Sequence, residues 1–192
     1  MEIHIAGAQH IHFAKIISQT IDDSARDRGT GIARRTPEYI IQKMENGNAV
    51  VAFEEDEFAG FCYIEVWGHG KYVAHSGLIV APSFRGQGLA KKIKKKVFDL
   101  SLKKFPGAKV FGITTGQAVM KINSELGYKP VHFSELTDDP EFWKGCQTCK
   151  NFDVLTRTER KLCLCTGMLY DPEAKEKQPK KNFLNGLFKS KK

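Results

Sequence analysis

A chain of 192 residues, 41% of them hydrophobic and 27% charged, suits one globular domain with a substantial core and an extension. It has no run of 18 apolar residues, and its start, MEIHIAGAQHIHF, is neither basic nor continuously apolar; a membrane-spanning helix and a signal peptide are therefore not expected, and a cytoplasmic location is. The net charge of +8 points to anionic partners, but seven lysines against two glutamates fall from Glu173 onward, so charge alone says little about the folded part.

In chain order, EIHIA alternates as a short strand, and Phe13, Ile17 and Ile21 follow at helical spacing. In TGIARRTPEYIIQKMENG, Thr36 is placed to cap a helix with Pro37 at its first position. Ile40 and Met44 share one face of it, and Gly47 ends it. NAVVAF, FAGFCYIEVW and YVAHSGLIV read as three strands of an antiparallel meander, turned at EEDE and GHGK. Leu89, Ile93, Val97 and Leu100 then mark a helix that FPG breaks, and AKVFGITT is a strand reached by a parallel crossover. GQAVMKINSELGYKPVHF predicts a helix ended by Gly127 and a strand, and KLCLCTGMLY a last strand. The domain thus spans residues 1–170, and 171–192 form a basic tail in which only FLNGLF has the pattern of an amphipathic or docking segment.

The densest chemistry lies in VAPSFRGQGLAKKIKK, residues 80–95. A helix N-terminus presents unpaired N–H groups and a positive dipole end, which bind phosphate if the backbone can come close. Gly86 and Gly88 remove side chains there, Arg85 adds a permanent charge, and Ala90 keeps the first turn slim. The run has neither the Gly-Lys-Ser/Thr ending of a triphosphate loop nor the third glycine of a dinucleotide fingerprint. A tight turn with no ligand is the plain alternative for a lone G-x-G.

Arg85, Gly88 and Ala90 as R-x-x-G-x-A, placed after an antiparallel meander, resemble the GCN5-related N-acetyltransferase (GNAT) superfamily over residues 2–135. The resemblance implies an α/β (α+β) fold with a mixed, V-shaped sheet splayed at the central strand and flanked by helices. It implies acetyl-CoA, or another short acyl-CoA such as succinyl-CoA, as co-substrate. The pyrophosphate would lie on residues Arg85, Gly86, Gln87, Gly88, Leu89 and Ala90. The pantetheine arm would run along Leu78, Ile79 and Val80, with a main-chain N–H near Leu78 polarising the thioester carbonyl. The superfamily's tyrosine acid, four residues before the glycine of a Gly-aromatic pair, is replaced here by Asn123, ahead of Gly127 and Tyr128.

Acyl transfer to an amine needs a base or a water relay. His75, with a near-neutral reference pKa on the strand bordering the cleft, is the first candidate against a merely packed histidine, and Glu65 on the neighbouring strand is the second. TGIARRTPEYI, with ITTGQAVMKINSELGYKPVHFSEL, further resembles the acetyltransferase domain of N-acetylglutamate synthases. That likeness implies an amino-acid acceptor, glutamate for arginine synthesis, held through its carboxylates by Arg34, with Arg35 beside it, and by a second arginine, Arg160 or Arg157. Departures are the missing kinase domain, extra residues after Thr115, and Ala74 where an acidic catalytic residue would stand. A solvated basic pair is the plain reading of Arg34 and Arg35.

Cys62 reads as a core residue. Cys146 and Cys149 with Cys163 and Cys165 make a C-x-x-C and a C-x-C, which could hold a structural zinc, pack inertly or serve redox chemistry. On a regular strand the second pair would stand too far apart. Three whole-protein readings stay open: an acyltransferase acting on a small amino acid, one acting on a protein or polyamine amine, and a non-catalytic module that binds coenzyme A or a partner. The lysines of AKKIKKK read as a solvated helix face opposite the apolar stripe. The folded region has no basic recognition helix with interleaved aromatics, so neither nucleic acid nor a membrane is an expected partner, while a homodimer is compatible with the pattern.

Overall fold

The structure, a computed structural model, describes residues 1–28 and 35–176. Arg34, the FLNGLF segment and most of the basic tail lie outside the described residues. Seven strands form one sheet: β1 (Glu2–Ile5), β2 (Ala49–Glu54), β3 (Glu57–Trp67), β4 (Tyr72–Val80), β5 (Lys109–Thr114), β6 (Lys129–Val131) and β7 (Thr166–Tyr170), in the order β1-β2-β3-β4-β5-β7-β6. Only the β4–β5 pair is parallel, and its crossover is α3 (Leu89–Lys104). The remaining pairs are antiparallel, and short turns join β2 to β3 and β3 to β4.

The two helices before the meander are α1 (Ala14–Arg28), entered through a 3-10 turn over Ala8–Phe13, and α2 (Pro37–Glu45). Thr36 caps α2, its Oγ1 accepting from the Tyr39 N–H at 3.3 Å. Gly47, at φ +59, supplies the left-handed turn that releases the chain into β2. Ile17, Ile21, Ile40 and Met44, all fully buried, join the strand residues Val50, Val51 and Phe61 in the larger core cluster, which also takes the α3 residues Leu89, Ile93 and Val97.

The parting of β4 from β5 organises the site. Their ladder runs only over Tyr72–Ala74 against Lys109–Phe111, and from residue 75 onward β4 has no β5 partner. On its other side β4 stays on β3 through a register shift: Phe61 faces Ile79, whereas Tyr63 faces Ser76. Gly77 takes up the extra residue of this bulge at φ +63. This is the mixed, splayed sheet that the α/β reading implies.

α4 (Gln117–Glu125) follows β5 and is tied to α3 by Lys91–Glu125 at 2.8 Å. Between β6 and β7 the chain makes an excursion with two short helices, α5 (Pro140–Lys144) and α6 (Phe152–Arg157). A second core cluster seats it on the sheet: Phe133, Leu136, Trp143 and Leu155 pack with Ala74, Phe111 and Leu169. The last strand starts at Thr166, not at Lys161, so Cys163 and Cys165 stand on irregular backbone. A final short helix, α7 (Pro172–Glu176), follows Asp171, whose carboxylate pairs with Lys109 at 2.9 Å.

A β-carbon at residue 77 would stand 2.5 Å from Tyr63 Cε1, in a backbone conformation that L side chains rarely adopt. Gly77→Ala is therefore expected to destabilise the fold by about 2–4 kcal/mol. Chemical denaturation checks this, and an unchanged midpoint would show that the bulge does not require glycine.

Candidate functional site

A cavity of about 410 Å³ occupies the split and is lined by residues from both faces of the sheet. Ile21, Arg35 and Tyr39 bound it on the α1–α2 face, Phe142 and Leu155 on the side of the excursion, and Lys94 and Asn123 on the α3–α4 face.

The α1–α2 face carries a polar cluster. Tyr63 and Glu65 project to that side from β3, and Ser76 joins them from β4 because Tyr63 and Ser76 are register partners. The Glu65 carboxylate accepts from the Tyr39 hydroxyl and from Ser76 Oγ at 3.1 Å, and Lys43 Nζ lies 3.8 Å from it. Arg35 Nε donates to the Tyr63 hydroxyl. Tyr39 and Lys43 are one helical turn apart on α2, so both reach the same spot, and the Tyr39 ring lies under Lys43 at 4.6 Å and under Arg35 at 5.1 Å. Burial pushes the Tyr39 and Tyr63 hydroxyls up, Tyr63 to about 12, so both are neutral donors at physiological pH. Burial lowers Lys43 in spite of Glu65. It also opposes the charge on Arg35, but Tyr63 and Glu65 outweigh it there and the pKa rises.

His75, the first candidate for the base, stands on the opposite face. Its Nε2 is 2.8 Å from Ser101 Oγ on α3 and its Nδ1 3.1 Å from the Tyr128 hydroxyl. Burial and then Lys94 hold it well below the ordinary histidine pKa. Both ring nitrogens are committed, and the ring lies on the opposite face of β4 from Ser76 while also forming part of the cavity wall. Glu65, the second candidate, is at the centre of the polar cluster.

The glycine junction has the form of an anion cradle. Gly86 and Gly88 have φ of +79 and +75, and a β-carbon on either would meet nothing within 4 Å. Gly88 caps α3 without a side-chain hydrogen bond, and no acidic residue lies in the helix's first turn, so the amides of Leu89 and Ala90 face outward unopposed. Arg85 is folded back, its Nε donating to the Val80 carbonyl at 3.2 Å, and Gln87 Nε2 reaches the Ser83 carbonyl at 3.4 Å. Leu78, Ile79 and Val80 lead from the cavity to this loop along the unpaired stretch of β4.

Of the arginines expected at the acceptor, Arg35 is in the cluster and Arg34 lies outside the described residues. Arg160 is an exposed turn residue at φ +63, six residues before β7, and is not part of the cavity wall. All four clustered cysteines are free and line the cavity. They do not form a ligand set: among the described residues no three His, Cys, Asp or Glu side chains stand around one metal position. Burial, followed by neighbouring cysteines, pushes Cys146 up to about 11 and Cys165 up to about 12.

Sequence reasoning missed Tyr39, Lys43, Tyr63, Ser76 and Lys94. Tyr39 and Lys43 carried a signal in their i, i+4 spacing beyond Pro37. Ser76 and Tyr63 carried none, because the bulge decides which residues face each other.

The model of the acetyltransferase (GNAT) family matches residues 18–120, more than half of the chain. The chain belongs to that family. Among solved structures it is similar to Rv2747 of Mycobacterium tuberculosis, solved with CoA, at 15% identity and a TM-score of 0.62 over 89% of this chain and 99% of that one. The N-acetylglutamate synthase of Neisseria gonorrhoeae, solved with coenzyme A and N-acetyl-glutamate, matches at 12% identity and 0.61, over 88% of this chain but 34% of the synthase. The phosphinothricin acetyltransferase of Sinorhizobium meliloti, solved with AcCoA, matches at 15% and 0.59 over 98% of both chains. These scores do not set the synthase apart from other acetyltransferases. No curated protein matches the sequence.

With Cys146 and Cys165 protonated at neutral pH, iodoacetamide at pH 7.5 is expected to modify them about 10²-fold more slowly than an ordinary thiol, and faster as pH rises. Peptide mass analysis times the reaction; alkylation at the ordinary rate would contradict the thiol environment described above.

Proposed function

We propose that this acetyltransferase moves a short acyl group from acyl-CoA to the α-amine of a dicarboxylic amino acid, with glutamate, as in arginine synthesis, the first choice. The reading is carried by the polar cluster on the α1–α2 face. An amino acid at neutral pH presents an ammonium beside carboxylate. Arg35 and Lys43 match the anionic part and Glu65 the ammonium, while Tyr39 and Tyr63 give the cluster rigid aromatic walls.

The chain's own groups divide the work by position. The amides of residues 85–90, with Arg85 released from the Val80 carbonyl, hold the pyrophosphate end of the co-substrate. The unpaired edge of β4 over Leu78, Ile79 and Val80 offers main-chain groups to the pantetheine arm, in the manner of an added strand. Next to the bulge at Gly77, the Leu78 N–H is the donor assigned to the oxyanion that forms as the amine attacks the thioester. Glu65 takes the proton that the ammonium must lose, directly or through one water, and Ser76 and Tyr39 keep its oxygens in place.

The test is thiol release from acetyl-CoA and succinyl-CoA with a panel of free amino acids, polyamines and peptides. Turnover with glutamate or a close dicarboxylic relative is expected, whereas turnover confined to polyamines or peptides would overturn the acceptor assignment. Arg35→Ala is expected to raise KM for the amino acid about 10- to 100-fold with little change for the thioester, and equal effects on the two would argue against carboxylate recognition. Gly88→Glu puts a carboxylate in the cradle and a side chain at positive φ, and is expected to abolish coenzyme A binding by calorimetry. Retained affinity would sink the cradle.

A further inference from the structure

Lys94 is the group that the site as described does not use. It sits on α3 inside the AKKIKKK run, yet only 2% of it is exposed, and it forms part of the cavity wall. Its helical neighbours explain the burial: the buried face of α3 is wide enough to take Ile93, Lys94, Val97, Phe98 and Ser101 together. The expectation that these lysines all form a solvated face therefore fails at this position. Among the described residues no carboxylate pairs with Lys94, and the nearest acid on α4, Glu125, is engaged with Lys91. Its Nζ lies 5.5 Å from the centre of the Tyr128 ring.

On the same face of the cavity, Asn123 is 1% exposed and its Oδ1 has no hydrogen-bond partner. A buried ammonium without an anion and a buried carboxamide oxygen without a donor each carry an energetic cost that folding alone does not return. Asn123 also stands where the superfamily resemblance puts a tyrosine acid. Lys94 follows Gly88 by six residues, about 9 Å along the helix axis, so it lies alongside the route from the phosphate cradle to the split.

We propose that Lys94 is the proton donor to the coenzyme A thiolate. This rests on the acyl-CoA reading given above. As the amine attacks and the tetrahedral adduct collapses, the C–S bond breaks, its electron pair stays on sulfur, and an Nζ proton passes to that sulfur. Lys94 is left as a neutral amine and is protonated again from solvent when the products leave. Asn123 Oδ1 is a positioning group in this scheme, an acceptor for the ammonium or for an amide of the pantetheine arm.

Burial lowers Lys94 to about 8, and Cys62 only partly offsets this. The titratable groups that face it are Cys62 from β3, His75 from β4 and Tyr128 ahead of β6. All three are neutral near pH 8, because burial raises the Cys62 thiol to about 11, raises Tyr128 and lowers His75. Lys94 therefore sets the titration on this side of the cavity. An acid must carry its proton, so turnover declines as pH rises through the lysine's pKa.

The experiment compares the native chain with Lys94→Met and Lys94→Arg. It measures kcat from pH 6 to 10 with acetyl-CoA and with succinyl-CoA, coenzyme A affinity by calorimetry, and thermal melting. Both variants are expected to bind coenzyme A within about threefold of the native chain and to lose about 10²-fold in kcat. They should also lose the alkaline limb, since methionine has no proton to give and arginine does not release one. Burying the lysine is costly below its folded pKa, so Lys94→Met is expected to melt higher than the native chain at pH 7. That gain shrinks between about pH 8 and 10.5, where the folded lysine is neutral and the unfolded one still charged.

Native turnover and an unchanged pH profile in Lys94→Met would overturn the proposal. So would activity restored by Lys94→Arg, which would leave only a fixed charge. Loss confined to succinyl-CoA would overturn it in favour of a clamp for an acyl carboxylate. Absence of coenzyme A binding by the native chain would fail the underlying reading, which the calorimetry reports separately from the kinetics.

Discussion

Backbone N–H and C=O groups in a sheet need partners, and β4 gives up one row of them after Ala74. The rest of the site depends on that parting. Beyond it the two strands diverge around a cavity that reaches both faces, so one pocket can take a long ligand lengthwise and a second ligand from the side. β4 is held during this departure by β3 alone, and the bulge at Gly77 is where its ladder with β3 changes register. The unpaired edge leads directly to the turn at Gly86 and Gly88, where helix α3 presents its amides without a side-chain cap. Strand edge and helix N-terminus thus follow one another along the chain, and each leaves main-chain groups without a partner from sheet or helix.

The two faces of the split have different electrostatics. On the α1–α2 face, charges are offset within the cluster: Glu65 with Lys43, Tyr39 and Ser76, and Arg35 with Tyr63 and two aromatic rings. On the α3–α4 face, His75 is made neutral by burial and fully bonded, while Asn123 Oδ1 has no hydrogen-bond partner and Lys94 is paired with no carboxylate among the described residues. Such incompletely compensated groups cost stability, and they mark places where a ligand completes the hydrogen bonding. In the proposed reaction, the separation also keeps the group assigned to receive the amine's proton apart from the group assigned to supply one to sulfur.

Much of the fold was legible because it rests on local periodicity. The meander, the Thr36–Pro37 helix start, the α3 crossover and the glycine turn before α3 all carry spacing or capping signals within a few residues. The excursion between β6 and β7 was not legible. Its elements are short, its contacts with the sheet come through scattered aromatic residues such as Phe142 and Trp143, and its consequence was to shorten β7 and free Cys163 and Cys165 from a strand. The surroundings of His75 and Lys94 were not legible for a related reason. Residue type suggested a base and a solvated cation, but which side of the sheet a β4 residue faces, and how wide the buried face of α3 becomes, are set by packing against neighbours distant in sequence.

By itself the sequence determined the strands and helices as far as β6, the family signature at Arg85, Gly88 and Ala90, and the concentration of positive charge, because these follow from patterns a few residues long. Only the tertiary structure decided that Tyr39, Lys43, Tyr63, Glu65 and Ser76 form one cluster, that both His75 ring nitrogens are hydrogen-bonded, and that Lys94 is buried at the cavity wall. Those outcomes depend on the register across the β3–β4 bulge and on the parting of β4 from β5, both of which are contacts between segments that no local pattern relates.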